Sequence, residues 1–203
     1  MSTLLHIDSS PLFDDSVTRQ LGAAFIARWT ASSPGGTVLS RDLYATPIAP
    51  IDAEWVGAVR TPADARTPKQ KELLGLSDKL IAELEAADEY VFGVPVHNFG
   101  VPAVLKLWID QISRAQRTFS YGDGVPKGLL VGKKATFIVA TGGPQSDAFN
   151  FVGPYLQGLF GFLGVTDSRV LNVNGTMALN FGQERTSFLA PHLQAVEALA
   201  EAA

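Results

Sequence analysis

EYVFGVPVHNFGVPAVLKLWID, residues 89–110, contains a strand, a turn and the start of a helix in direct succession. EYVFGV is short, apolar and rich in aromatic and β-branched residues, the signature of a strand buried on both faces. Pro95 pushes Val94 into extended backbone and helps to stop the strand. From Ala103 the pattern changes. AVLKLWIDQISRA repeats its apolar residues at helical spacing, so Leu105, Trp108, Ile109 and Ile112 are expected in a core. Lys106, Asp110 and Arg114 fall on the other face at i, i+4 spacing and read as a solvated ion-pair row. Pro102 suits the first turn of that helix. Between the two elements, Asn98 offers donors and an acceptor, His97 and Phe99 offer flat surfaces, and the amides of 96–99 are expected to face the space above the strand. A planar heteroaromatic ring with polar edges fits such a loop. The plainer reading is an Asn-Phe-Gly turn with Phe99 in the core.

The same alternation runs outward in both directions. LLHID (4–8) reads as a buried strand and VTRQLGAAFIARWTA as a helix with Leu21, Ala24, Phe25 and Arg28 at helical spacing. TVLSRDL (37–43) is a strand polar enough for an edge. Residues 44–67 are Pro-rich and irregular, with a short helix around Glu54–Val59. Thr67-Pro68 opens a helix with Thr as its cap and an apolar face of Leu73, Leu76, Leu80, Ile81 and Leu84. After the central unit, TFSYGDGVPKG reads as a turn-rich loop, KATFIVAT (134–141) as a strand and GGPQSD as a loop. PYLQGLFGFLG is an apolar helix ending on Gly164, RVLNVNG a fifth strand and PHLQAVEALAEA the closing helix. Strands alternating with helices predict an α/β fold: a five-stranded parallel sheet, order 2-1-3-4-5 as in flavodoxin-like proteins, with helices on both faces and one domain over residues 1–203.

Composition narrows the function. Hydrophobic residues make up 46% and charged residues 18% of the 203, a globular balance, and a formal net charge of −4 argues against nucleic acid as a partner. No apolar run approaches membrane-spanning length, and MSTLLHIDSS has neither a basic n-region nor a long h-region, so the expectation is a cytoplasmic protein. The absence of cysteine excludes disulfides, thiol catalysis and thiolate metal sites. His6, His97 and His192 lie far apart without carboxylates at ligand spacing, so no metal is expected. No G-x-S-x-G elbow is present.

In an open parallel sheet, ligands bind beyond the carboxyl ends of the strands where the strand order reverses. The loops there are SSPLFDDSVT, PVHNFGVP and TGGPQSD. The first offers Ser9, Ser10, Ser16 and Thr18, with Ser16 or its neighbour capping the next helix. Hydroxyls joined to the free N–H groups of a helix start can hold a phosphate without a basic residue. Asp14 and Asp15 oppose that unless they point to solvent, and simple capping is the alternative. Neither G-x-x-x-x-G-K-[ST] nor G-x-G-x-x-G is present. In the third loop, Gly142 and Gly143 let backbone approach a ligand.

Taken together, LLHIDSSP with Ser16-Val17-Thr18, PVHNFGVPAVLKLWID, GLLVGKKA, ATGG and GFLGVTD make the chain resemble, over essentially its whole length, the FMN-dependent NADH-azoreductases, also called FMN-dependent NADH:quinone oxidoreductases. The resemblance implies a flavodoxin-like homodimer with FMN bound non-covalently to each chain. It assigns Ser10, Ser16, Val17 and Thr18 to the phosphate; Pro95, Val96, His97, Asn98 and Phe99 to the isoalloxazine; and Ala140, Thr141, Gly142 and Gly143 to its pyrimidine end. Two positions depart from the family: His97 stands where a bulky aromatic, often Tyr, is usual, and Ala140-Thr141 where Ser-Arg is common.

The activity so implied is two-electron, ping-pong reduction of quinones and aromatic azo compounds with NADH as donor. The flavin carries the chemistry, so no catalytic side chain is assigned; His97 and Phe119 are candidate substrate contacts. A flavodoxin-like electron carrier and an NAD(P)H-dependent FMN reductase are the alternatives. The helix PYLQGLFGFLG is apolar nearly all round, which predicts a second copy covering its outer face, unless the 44–67 segment covers it.

Overall fold

The computed structural model describes residues 2–122, 124–144 and 146–201. Asp123 of TFSYGDG, Gln145 of GGPQSD and Ala202 of the closing helix lie outside them. The main sheet is formed by β1 (Thr3–Asp8), β2 (Thr37–Asp42), β3 (Glu89–Pro95), β6 (Lys134–Ala140) and β7 (Asp167–Val173). All four pairings are parallel and the order is β2-β1-β3-β6-β7. Counted along this sheet alone, that is the expected 2-1-3-4-5. The 119–129 region differs from its reading as a loop: β4 (Phe119–Gly122) and β5 (Val125–Gly128) form a two-stranded antiparallel hairpin. Its composition, rich in glycine and interrupted by a proline, hides the strands.

β3 is central and buried on both faces, and its alternation builds two cores. Tyr90, Phe92 and Val94 point to one side, where α3 (Pro68–Ala86), α4 (Ala103–Ile112) and α5 (Val152–Leu163) pack. Phe92 sits at the middle of an aromatic cluster there, with ring centroids 5.0 Å from Phe160, 5.2 Å from Phe137 and 5.7 Å from Trp108. Each fully buried ring contributes about 2–3 kcal/mol. Val91 points to the other side, toward α1 (Val17–Ser32) and α6 (Arg185–Glu201).

Several local expectations are refined. Thr67 caps α3 in a reciprocal capping box with Gln70, but the inner line of α3 is Leu74, Ser77, Leu80, Ile81 and Leu84, with Leu73 and Leu76 only partly buried. Pro102 is the residue before α4 rather than within its first turn. α6 begins at Arg185 and carries Pro191 inside it, where the sequence suggested a helix start.

The expected ion-pair row on α4 is half right. Lys106 and Asp110 do pair across one turn. Arg114 is instead buried, its side chain 2% exposed, and donates to Ser77 at 3.0 Å and Asp78 at 2.7 Å. The chain has already left the helix at Ser113, so the i, i+4 spacing no longer applies.

Residues 44–67 hold α2 (Ala53–Arg60), whose Trp55 and Ala58 pack against Leu74 of α3. Along α5, Leu156, Phe160 and Leu163 are buried, while Tyr155 and Phe162 stay exposed. No helix among the described residues is long and apolar enough to cross a membrane.

Candidate functional site

Parallel strands end together, so the loops after β1, β3 and β6 share one end of the sheet. Two adjoining clefts open there, of about 270 and 530 Å³. Alternation at the end of β6 divides them: Ala140 and Gly142 line the smaller, Val139, Thr141 and Gly143 the larger, and Val96 belongs to both.

The smaller cleft is built on the loop after β1. Ser9 is taken up by structure, since its amide and hydroxyl both donate to the Gly93 carbonyl, at 3.2 and 2.6 Å. Gly93 lets the Asp8 side chain and the start of α1 pack close to β3, because a Cβ there would stand 3.1 Å from the Asp8 carboxylate and 3.3 Å from the Thr18 carbonyl. Ser16 caps α1, accepting from the Arg19 amide at 3.3 Å, and its hydroxyl lies 3.1 Å from that of Thr18. The Val17 and Thr18 amides lie in the first turn and have no partner within the helix. Ser10, Ser16, Val17 and Thr18 all line this cleft. Asp14 and Asp15 are exposed, and Asp15 also borders this cleft.

Arg19 holds the loop from behind. Its Nε and Nη2 donate to the Ser10 carbonyl at 3.1 and 2.8 Å, and its two terminal nitrogens reach both oxygens of Asp42. The hydrogen bond from Arg19 holds the Asp42 carboxyl below its ordinary range, and the same bond raises Arg19.

The loop after β3 corrects one expectation. The amides of 96–99 are not all free: Val96 donates to the Ala140 carbonyl at 2.7 Å, and His97 and Gly100 exchange two bonds at 3.0 Å. Only those of Asn98 and Phe99 remain, at the tip of a tight turn in which both residues have positive φ, 49° and 66°. Asn tolerates this region; an aromatic residue there is strained. Phe99 is also 59% exposed, not in the core, with its ring 5.4 Å from that of Phe149. Pro95, Val96 and His97 line the smaller cleft and Phe99 the larger; Asn98 lines neither.

The loop after β6 is laced to the segment that follows β7. Thr141 donates to the Val173 carbonyl and accepts from Thr176, Gly142 accepts from Met177, and Gly143 accepts from Gly175. The two glycines use their carbonyls in these bonds. The amides of Gly142 and Gly143 have no hydrogen-bond partner among the described residues. Donors held in place without an acceptor suit an electron-rich edge of a ligand.

Sequence reasoning missed this fourth wall. Thr176, Met177, Leu179, Asn180 and Arg185 line the smaller cleft, and Asn172 and Asn174 the larger. The signal was available: NGTMALNFG also follows a parallel strand, so it had to emerge at the same sheet end. Phe119 lines neither cleft. Its ring packs on Phe162 at 4.9 Å and on Tyr121 at 5.5 Å.

A family model described as flavodoxin-like fold matches residues 2–199. An FMN-dependent NADH:quinone oxidoreductase of Acidobacterium capsulatum is 52% identical over 202 residues, covering 97% of this chain and 98% of that protein. FMN-dependent NADH:quinone oxidoreductase 3 of Burkholderia lata is 45% identical, with 98% and 99% covered. Among solved structures, an FMN-dependent NADH-azoreductase from Bacillus anthracis in complex with FMN superposes with a TM-score of 0.87 at 26% identity, covering 100% of this chain and 99% of that one.

Proposed function

This chain belongs to the flavodoxin-like family of FMN-dependent NADH:quinone oxidoreductases, and from that premise we propose that it reduces quinones and aromatic azo compounds with NADH, using non-covalent FMN. The observation that carries the reading is one cleft lined by both a hydroxyl-bearing helix start and the Gly142 backbone, whose amide has no partner among the described residues. These residues suit a phosphate ester joined to a polar-edged ring.

FMN bound there supplies acceptance of hydride from NADH and delivery of two electrons to the acceptor. The hydroxyls of Ser10 and Ser16, with the amides of Val17 and Thr18, would hold the phosphate. Pro95, Val96, His97 and Phe99 would line the ring, with Asn98 at the turn between them offering an amide that has no partner among the described residues. Ala140, Thr141, Gly142 and Gly143 would border its pyrimidine edge, where the two unpartnered glycine amides are suited to an electron-rich edge. His97 is a wall of the site and a substrate contact, with no proton transfer assigned to it. With one cleft open to solvent, donor and acceptor would occupy the site in turn, a ping-pong order. Because the reaction consumes NADH, its place is the cytoplasm.

The same reading includes a homodimer. Phe99, Val101, Phe151 and Tyr155 line a shallow apolar depression beside the larger cleft. A second copy related by a two-fold axis covers such a surface by matching it to itself.

The test is purification followed by assay. The protein is expected yellow, with about one FMN per chain that stays with it on filtration, and to oxidise NADH in steady state when a quinone is present. A colourless protein that fails to quench added FMN fluorescence rejects the reading. Flavin passing the filter indicates an FMN reductase, and bound flavin without quinone turnover an electron carrier.

A further inference from the structure

We propose that Arg185, at the start of α6, is the counter-charge to the FMN phosphate, a binding role that rests on the FMN reading above. A phosphate monoester carries about −1.5 to −2 charges near neutral pH. The hydroxyls and amides around it supply dipoles only, and Asp14 and Asp15 in the same loop oppose it. A cation in the cleft adds to what those dipoles supply and offsets the two aspartates, and Arg suits phosphate through its planar fork of donors.

Two arginines stand near the loop, and the structure separates them. Arg19 is nearer in sequence but already spent: both oxygens of Asp42 and the Ser10 carbonyl occupy its donors. It lines a separate depression with Asp8 and Phe13, and its guanidinium lies 5.0 Å over the Phe13 ring. Arg185 lines the cleft itself, with Ser10, Asp15, Ser16 and Thr18, and makes no ion pair with the Asp15 carboxylate among the described residues. Its Nη1 donates to the Gln20 side-chain oxygen and its Nη2 to the Asp15 carbonyl, both at 3.2 Å. These acceptors are neutral, so its charge is positioned but not cancelled by them.

Gln20 is itself oriented, because its amide nitrogen donates to the Asp14 carbonyl at 2.7 Å and so turns its oxygen toward Arg185. The adjacent carboxylate, Glu184, accepts from the amides of Thr186 and Ser187 at 2.8 and 2.6 Å, which draws its pKa down to about 2. It caps its own helix, with no ion pair to Arg185 among the described residues. A guanidinium on neutral tethers beside an anion subsite is arranged for a ligand.

The experiment compares wild type, Arg185→Gln and Arg185→Lys as flavin-free protein, titrated with FMN and with riboflavin by fluorescence quenching. Arg185→Gln is expected to raise the FMN dissociation constant at least about tenfold, the scale of one hydrogen bond to a charged group, and to leave riboflavin within about twofold. Arg185→Lys is expected to recover most of the loss. An unchanged FMN-to-riboflavin ratio in Arg185→Gln overturns the assignment, as does a Lys variant no better than Gln. A rise in KM for NADH with FMN binding intact moves Arg185 to the dinucleotide and also overturns it. Wild type that binds FMN no better than riboflavin rejects the phosphate site itself, a separate failure from that of Arg185. If Arg185→Gln does not fold, Gln20→Met provides the readout: a selective loss of FMN affinity supports the assignment, and none overturns it.

Discussion

Arg19 grips Asp42 with two parallel bonds, Nη1 to one carboxylate oxygen at 2.8 Å and Nη2 to the other at 2.9 Å, while the same guanidinium holds the Ser10 carbonyl. The pair ties the end of β2 to the loop at the end of β1. A carboxyl whose folded pKa is depressed adds stability that is present above its unfolded value, ordinarily 3.8, and is lost as pH falls through the folded value. Arg19→Leu is therefore expected to cost about 1.5–3 kcal/mol at pH 7, toward the low end because Asp42 is partly exposed. Denaturant melts at pH 7 and well below 3.8 check this: the gap between variant and wild type narrows in acid. Equal gaps at both pH values reject the ion pair as the cause.

Ser10 and Ser16 line the same cleft. Replacing both with Ala is expected to weaken FMN binding by roughly 1–3 kcal/mol, the cost of hydrogen bonds to a charged group. Riboflavin, without a phosphate, is expected to be nearly indifferent. Equal losses for both flavins make the serines structural, with Ser16 acting only as the α1 cap.

Phe99 sits at a positive φ and leaves its ring in solvent. Glycine adopts that backbone without strain, so Phe99→Gly is expected to stabilise the fold by about 1 kcal/mol. For a chain of this size that raises Tm by roughly 2–4 °C. Quinone turnover is expected to fall in the same variant, because the ring beside the larger cleft is gone. A variant that is both less stable and fully active contradicts the placement of this turn at a substrate site.

Light scattering at micromolar concentration is expected to give twice the 21.6 kDa of one chain; a particle of single-chain mass rules the dimer out. Within the hairpin, Tyr121 is 62% exposed whereas Phe119 is held by Phe162 of its own chain. Tyr121→Ala is thus expected to change quinone turnover with FMN retained, and Phe119→Ala to do so only through displacement of Tyr121. Unchanged turnover in both variants leaves the dimer standing and removes the hairpin from a shared site.

Much of this was legible without coordinates. EYVFGV and KATFIVA announce central strands because burial on both faces requires unbroken apolar runs, and the Thr67 and Gly164 caps are local signals that tertiary context leaves alone. The three loops of the site followed from parallel topology. What stayed hidden depends on backbone partners distant in sequence: Ser9 belongs to Gly93, and the Gly142 and Gly143 carbonyls are tied to residues beyond β7. Neither leaves a trace in residue type or spacing.

The chain by itself determined the sheet, its order and the end at which the clefts open, because hydrophobic period and strand-helix alternation are properties of consecutive residues. Only the tertiary structure decided which charges are available. Arg114 reads as part of a surface ion-pair row and Arg19 carries no local signal, yet one is buried against Asp78 and the other is committed to Asp42. Arg185, which no motif marks, reaches the cleft because α6 packs beside α1 and brings its first residue to the loop after β1. The partners of a guanidinium are set by the elements the fold lays alongside it, and its neighbours in sequence do not specify them.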